Sequence, residues 1–318
     1  MQHSLEALEA AAEQVHAVIA PTLQYNWPLL AERCGCEVWV KHENHTPIGA
    51  FKVRGGVTFM NDFAKGGDTP GIITATRGNH GQSIGFAARS AGVAATIVVP
   101  ESNSTEKNAA MAALGVRLLV HGQDFDEARE FANATAAEEG LFFVPSFDPR
   151  LVRGVASYAL ELFGAVQDLD AVYVPIGLGS GICGTIAARD ALGLRTEVVG
   201  VVSENAPAYA MSFEAGKPVP TNSANTFADG LACRVPDAGA VNIINKGASR
   251  IVTVSEDEIK DAMRAYYTDT HNLAEGAGAA PLAALLQEKD RMVGKKAAVV
   301  LSGGNIDRDI FSSILAGH

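Results

Sequence analysis

Apolar positions follow two alternating rhythms along this chain. Leu5, Leu8, Ala12, Val15 and Ile19 fall at helical spacing, which predicts an amphipathic helix over residues 4–19, ended by Pro21-Thr22. Short, continuous apolar runs then predict strands at 37–41, 72–75, 95–100, 117–120, 141–144, 172–174, 197–202 and 297–301, of the kind buried on both faces. Between them lie helical stretches at 81–90, 107–114, 124–139, 155–163, 256–270 and 280–288, and the chain closes with one more helix after Ser302. A further helix follows Lys52, expected to start from the pair Gly55-Gly56. Strand–helix alternation of this kind builds parallel sheets covered by helices, so the fold class is α/β.

Residues 71–147 read as one compact βαβ unit, and residues 1–70 and 148–318 as a larger one around it. A length of 318 residues supports two cores, because single cores stop growing near about 250–300 residues. No internal repeat or low-complexity linker interrupts the pattern. Hydrophobic residues make up 47%, and 32 glycines fit tight turns between buried strands. No apolar run reaches the roughly 20 residues of a membrane-spanning helix. The start lacks a secretory leader pattern, which leads us to expect a cytoplasmic protein. The net charge of −11 argues against nucleic acid or an anionic membrane as partner, since both need a basic face. The four cysteines form no framework. Cys34 and Cys36 are one residue apart with no second ligand pair, and Cys183 reads as a packing residue, so reduced thiols are expected.

Three stretches carry chemistry. Thr46-Pro47-Ile48-Gly49-Ala50-Phe51-Lys52-Val53-Arg54-Gly55-Gly56 sets one lysine in apolar company, where lost hydration pushes the amine toward its neutral, nucleophilic form. Gly177-Leu178-Gly179-Ser180-Gly181 follows an apolar strand and opens a helix, aiming backbone N–H groups and a helix dipole at one point, as a phosphate requires. Another buried-type strand ends in Ser302-Gly303-Gly304-Asn305. A lysine, a phosphate cradle and a polar strand end together describe a pyridoxal phosphate site.

With Lys41-His42-Glu43-Asn44 and Arg77-Gly78-Asn79-His80-Gly81-Gln82 added, the chain resembles the fold type II pyridoxal phosphate enzymes, within them the threonine/serine dehydratase and serine racemase group. The resemblance runs from Pro21-Thr22 to the closing helix. It implies a two-lobed, tryptophan synthase β-like fold of twisted, mostly parallel sheets, in which 71–147 is a small mobile domain that closes on substrate. It implies a homodimer with a small amino acid as substrate. Lys52, beside Phe51, would be the Schiff-base lysine and the base for the substrate's α-proton. Asn79 would bond the cofactor's phenolic oxygen, and Gly78, His80 and Gly81 belong to the loop holding the substrate carboxylate. Gly177, Leu178, Gly179, Ser180 and Gly181 would hold the phosphate. Ser302 would face the ring nitrogen, where a hydroxyl leaves that nitrogen unprotonated and favours quick β-elimination. The implied reaction is dehydration of threonine or serine: the β-hydroxyl leaves after protonation by the cofactor phosphate, and the freed enamine hydrolyses to a 2-keto acid and ammonia. β-Replacement and a cofactor-binding regulator are the weaker alternatives. Biosynthetic threonine deaminases carry a regulatory domain after this point, so the expectation is a catabolic enzyme.

Three positions depart from the pattern. Serine racemases have a serine, their second acid/base, where this chain has Arg77, and a guanidinium cannot accept a proton, so racemisation is not expected. Arg77 instead suggests a substrate with a carboxylate, such as 3-hydroxyaspartate, or with a ring, such as phenylserine; the plain alternative turns it away into a surface ion pair. Arg153-Gly154-Val155-Ala156 stands where relatives carry Gly-Gln-Gly-Thr near the pocket, making Arg153 a second candidate for substrate contact. Glu204 matches one ligand of the racemases' divalent cation, but Ala210 replaces the aspartate. No dedicated metal is expected unless Glu214 or Asp229 contributes from elsewhere.

Overall fold

The computed structural model describes residues 3–66 and 70–317. In chain order the elements are α1 (Leu5–His16), β1 (Gln24–Asn26), α2 (Pro28–Cys34), β2 (Glu37–His42), α3 (Lys52–Ala64), β3 (Ile72–Ala75), α4 (Asn79–Ala91), β4 (Ala95–Val99), α5 (Thr105–Ala113), β5 (Arg117–Val120), α6 (Phe125–Glu139) and β6 (Phe142–Phe143). There follow α7 (Pro149–Ala165), β7 (Ala171–Pro175), α8 (Ser180–Ala191), β8 (Glu197–Ser203), α9 (Ala208–Ala215), α10 (Ala238–Gly247), β9 (Arg250–Val254), α11 (Glu256–Thr270), α12 (Gly276–Gln287), α13 (Lys289–Met292), β10 (Lys296–Leu301) and α14 (Arg308–Leu315).

The strands form two sheets. One is six-stranded in the order β1-β2-β10-β7-β8-β9, and only its edge pair β1/β2 is antiparallel. The other is four-stranded and parallel in the order β5-β4-β3-β6. Apolar side chains on both faces of β7, β8 and β10 are buried against helices, so these runs are unbroken in sequence rather than alternating. Two short strands escaped the pattern. β1 is only three residues long, and β9 alternates burial because it is a sheet edge.

Helix starts differ from their predicted positions for identifiable reasons. α3 begins at Lys52 rather than at the glycine pair, which lies inside its first turns. A Cβ on Gly55 would meet the Leu151 carbonyl oxygen at 2.8 Å, and one on Gly56 the Ser83 hydroxyl at 2.4 Å. The glycines therefore let α7 and α4 approach α3, at a helix cost of about 0.5–1 kcal/mol each. α7 begins at Pro149, six residues early, because the Asp148 carboxylate caps it by accepting from Arg150 N at 2.8 Å. α12 begins at Gly276 and carries Pro281 within it, so its Gly-Ala-Gly start reads as loop in sequence.

A balanced cluster of buried charges ties α3 to its neighbours. Arg54, in the first turn of α3, donates to Glu43 Oε2 at 2.7 Å, Glu43 Oε1 at 2.9 Å and Glu161 Oε1 at 2.5 Å, with Ser157 Oγ at 2.9 Å. Lys41 on β2 donates to Glu161 Oε2 at 2.5 Å and the Thr22 carbonyl at 2.7 Å. His16 of α1 reaches Glu161 Oε1 at 2.7 Å. Burial alone would raise the Glu161 pKa, but Arg54 and Lys41 outweigh it and hold the carboxyl below the usual range. No described helix is long and apolar enough to cross a membrane.

Candidate active site

Lys52 occupies the first position of α3, directly after the loop that the end of β10 stitches in place. Phe51 N donates to the Ser302 carbonyl at 3.0 Å, Gly304 N to the Gly49 carbonyl at 2.9 Å, and Ala50 bridges Gly303. Asn305 Nδ2 donates to the Ile48 carbonyl at 2.8 Å. Gly49 takes φ +66°, and a side chain there would collide with Asn305 Oδ1, so this turn requires glycine. Ser83 of α4 donates to the Lys52 carbonyl at 2.6 Å. The lysine is thus held by its backbone while its Nζ lies 4.8 Å from the centre of the Phe51 ring. Burial pushes the amine down to about 8, with Glu275 opposing the shift. Near neutrality it sits poised between ammonium and free amine.

Lys52 lines a cavity of about 430 Å³ together with Thr76, Asn79, Gly177, Leu178 and Glu275. Asn79 starts α4, whose first-turn N–H groups have no helical carbonyl to bond and face an anion naturally. Its side chain donates to Glu275 Oε1 at 2.7 Å and accepts from Asn305 Nδ2 at 2.7 Å. His80 is buried, its ring 3.2 Å from Thr74 Oγ1; burial and the Lys52 charge push it down to about 3, so it is neutral. Glu275, the residue before α12, was not singled out by sequence, since a lone glutamate before Gly-Ala-Gly carries no motif. Burial raises it to about 6, against the pull of Lys107 and the Asn79 amide.

That shift has a sign. A carboxyl whose folded pKa exceeds its unfolded value stabilises the fold fully below pH 4.5 and loses that contribution as pH rises through about 6, a change of about 2 kcal/mol. Glu275→Gln should flatten the stability of the cofactor-free protein over this window, measured by urea unfolding at stepped pH. An unchanged slope would remove Glu275 as its source.

The glycine-rich turn opens α8 as expected. Gly179 takes φ +97° and Ser180 begins the helix. Two buried hydroxyls pin the turn: Tyr209 donates to the Leu178 carbonyl at 2.9 Å and Tyr158 to the Gly181 carbonyl at 2.9 Å. A Cβ on Gly177 would fall 2.1 Å from the Gly230 carbonyl oxygen. Gly177→Ala is therefore expected to push these loops apart at a strain of about 1–3 kcal/mol. Its signature is faster loss of cofactor on dialysis; retention equal to the parent protein would show the contact to be slack. Ser302 is buried at the end of β10.

Arg77 lines the cavity with a partly exposed side chain, in an ion pair whose Nη1 lies 3.6 Å from Oδ1 of Asp229, which lines the same cavity. Arg153 does not line it. Gly154 lets α7 touch α3, since a Cβ there would lie 2.2 Å from Thr58 Oγ1, and this packing carries Arg153 onto Asp62 of α3. Lys107 and Asp229, 2.8 Å apart, line the cavity too; Lys107 was not singled out from sequence and Asp229 was named only as a possible metal ligand, because they come from distant segments. Asp229 is thus committed to Lys107 and Arg77, away from Glu204. Among the described residues no three His, Cys, Asp or Glu side chains gather as a metal site. The four cysteines are buried free thiols, and burial pushes Cys34 up to about 12.

A half-buried lysine that shares a cavity with helix-start anion donors and a pinned glycine turn is the equipment of an enzyme that handles a phosphorylated aldehyde. The chain belongs to the pyridoxal-phosphate dependent enzyme family, whose model matches residues 15–303. It is 33% identical over 313 residues to an L-threonine ammonia-lyase of Thermotoga maritima, covering 98% of this chain and 78% of that one. It is 31% identical over 290 residues to an L-threo-3-hydroxyaspartate ammonia-lyase of Saccharomyces cerevisiae, covering 91% and 89%. The processed form of threonine deaminase isoform 2 from Solanum lycopersicum superposes with a TM-score of 0.91 at 26% identity, over 100% of this chain and 95% of that one. The α/β architecture is that of the fold type II enzymes, and pyridoxal phosphate is the cofactor.

Proposed function

We propose that this protein is a pyridoxal phosphate-dependent ammonia-lyase that dehydrates a β-hydroxy-α-amino acid to a 2-keto acid and ammonia. The observation that carries the reading is Lys52, a half-buried lysine whose amine desolvation brings down to about 8, lining the same cavity as the start of α4. The residues fit the cofactor: Lys52 would hold its aldehyde as a Schiff base, the first turn of α8 with Ser180 its phosphate, Asn79 its phenolic oxygen and Ser302 its ring nitrogen. When bound, the cofactor supplies an electron sink for charge developing at the substrate α-carbon.

The chain's own groups do the rest. Backbone N–H groups at Asn79 and His80 would hold the α-carboxylate, fixing the Cα–H bond toward Lys52. The Lys52 amine, free base in a useful fraction near neutral pH, takes that proton. Neutral His80 adds no charge to compete. Arg77, on the loop where racemases place a serine, offers no second base, so the product leaves by elimination rather than inversion. Segment 71–147 would close over bound substrate, with Lys107 and Arg77 meeting Asp229 from the other lobe. We further infer a cytoplasmic homodimer, checked by gel filtration, where elution as a monomer would count against it. The deciding assay is 2-keto acid and ammonia release from threonine, serine, 3-hydroxyaspartate and phenylserine. No release from any of them sinks the proposed reaction.

A further inference from the structure

We propose that Arg77 and Lys107 form a subsite for a second carboxylate, so that the preferred substrate is a β-hydroxy amino acid with an acidic side chain. The inference rests on the ammonia-lyase reading and names the substrate class within it.

The first support is charge. The whole chain carries −11, yet four cations, Arg77, Lys107, Arg129 and Arg234, line the cavity. Beyond Lys52, and beyond Glu275, which faces both Lys52 and Lys107, three carboxylates share the lining: Asp124, Asp126 and Asp229. Asp124 caps α6 by accepting from Glu127 N at 3.0 Å. Asp126 takes both Arg234 and, at 3.0 Å, Arg129. Asp229 is likewise shared between Lys107 at 2.8 Å and Arg77 at 3.6 Å. Glu275 and Asp307 also bear on Lys107, and Asp124 on Arg77, so the pair is a local concentration of cations in an acidic protein rather than a bare excess of charge.

The second support is the uncommitted state of Arg77. Its side chain makes no hydrogen bond among the described residues, and 3.6 Å from Asp229 is an ion pair without one. At 38% exposure it is neither buried in structure nor free in solvent. Its planar fork is suited to a carboxylate bidentately. Lys107 is nearly buried, and its stem packs on Gly78, where a Cβ would stand 2.7 Å from the lysine Cδ. Arg77, Gly78 and Lys107 are therefore contiguous, immediately beside the α4 donors at Asn79 and His80.

The third support is the shape of the ligand. In a 3-hydroxyaspartate the two carboxylates are separated by only two carbons. With the α-carboxylate on the α4 N-terminus, the second falls beside the same loop, on Arg77 and Lys107. A threonine methyl there would cover charged groups and satisfy neither.

The experiment compares kcat/KM for threo and erythro 3-hydroxyaspartate with threonine and serine, in the parent enzyme and in Arg77→Gln. The parent is expected to prefer one hydroxyaspartate isomer by at least about tenfold, and Arg77→Gln to lower that kcat/KM by about 10–100-fold, chiefly through KM. Threonine kcat/KM should fall by a smaller factor than that of the hydroxyaspartate, so that the preference between them narrows. Calorimetric titration with succinate and with butyrate adds a readout independent of turnover: succinate, with the same two-carbon spacing, should bind the parent more tightly, and the variant should lose the difference. Equal losses on all substrates, or succinate binding no tighter than butyrate, overturns the subsite. No keto acid from any substrate, with succinate binding still dependent on Arg77, overturns the ammonia-lyase reading and leaves the subsite standing.

Discussion

Lys52→Ala is expected to abolish 2-keto acid release, by at least about 10³-fold, while leaving the protein folded. The two halves of that result have one cause. Lys52 is half-buried, and desolvation pushes its amine down to about 8, so its ammonium form is held at a cost that alanine removes. The variant should melt no lower than the parent. Its backbone contacts, Ser83 to the Lys52 carbonyl and Phe51 to Ser302, do not involve the amine and persist. Lys52→Arg should fail as completely, because a guanidinium stays protonated and can neither attack an aldehyde nor accept a proton. Loss of the Schiff-base absorbance of the cofactor-loaded protein in both variants is the companion spectroscopic check. Turnover retained by Lys52→Ala would place the base elsewhere, whereas loss of turnover with a large fall in melting temperature would point to a structural role.

The second large effect concerns stability. Glu43→Ala removes one carboxylate from a buried set in which Arg54 and Lys41 balance Glu43 and Glu161. Arg54 has no exposed side-chain surface, so its guanidinium would be left partly unpaired in a medium that cannot rehydrate it. Breaking such a set costs about 3–5 kcal/mol. In a protein of this size that lowers the melting temperature on the order of 10 °C. The paired replacement Glu43→Met with Arg54→Met should cost less than the single change, because no orphaned charge remains. A single variant no less stable than the double would show that water or a shifted side chain already compensates. Since Arg54 lies in the first turn of α3, the single variant should also loosen Lys52, visible as slower cofactor reconstitution.

Much of this was legible in the sequence because it is local. The α/β class follows from buried-type strands alternating with helical periods, and the stretch 256–270 matches α11 at both ends. Lys52 and the Gly177–Gly181 turn were legible for the same reason: an apolar neighbourhood and a glycine turn are properties of adjacent residues. The helix starts at α3 and α12 were misplaced where glycine stands inside a helix to admit a neighbouring element, a demand set by packing partners far away in sequence, whereas at α7 the local Asp148-Pro149 start was passed over.

Long-range juxtaposition was decided by tertiary structure alone. Arg77 and Arg153 look equivalent as charges out of place in the chain, yet the fold brings one into the cavity and turns the other onto Asp62. Glu275, Lys107 and Asp229 carry no motif, and each gains meaning only from what the sheets bring beside it. Sequence therefore determined which chemistry this protein is equipped for, since local composition sets backbone preference and side-chain type. Which charges line the cavity, and which protonation states they hold, depends on burial and on partners far away in sequence, as Glu275 is from Lys52, and only the folded chain supplies both.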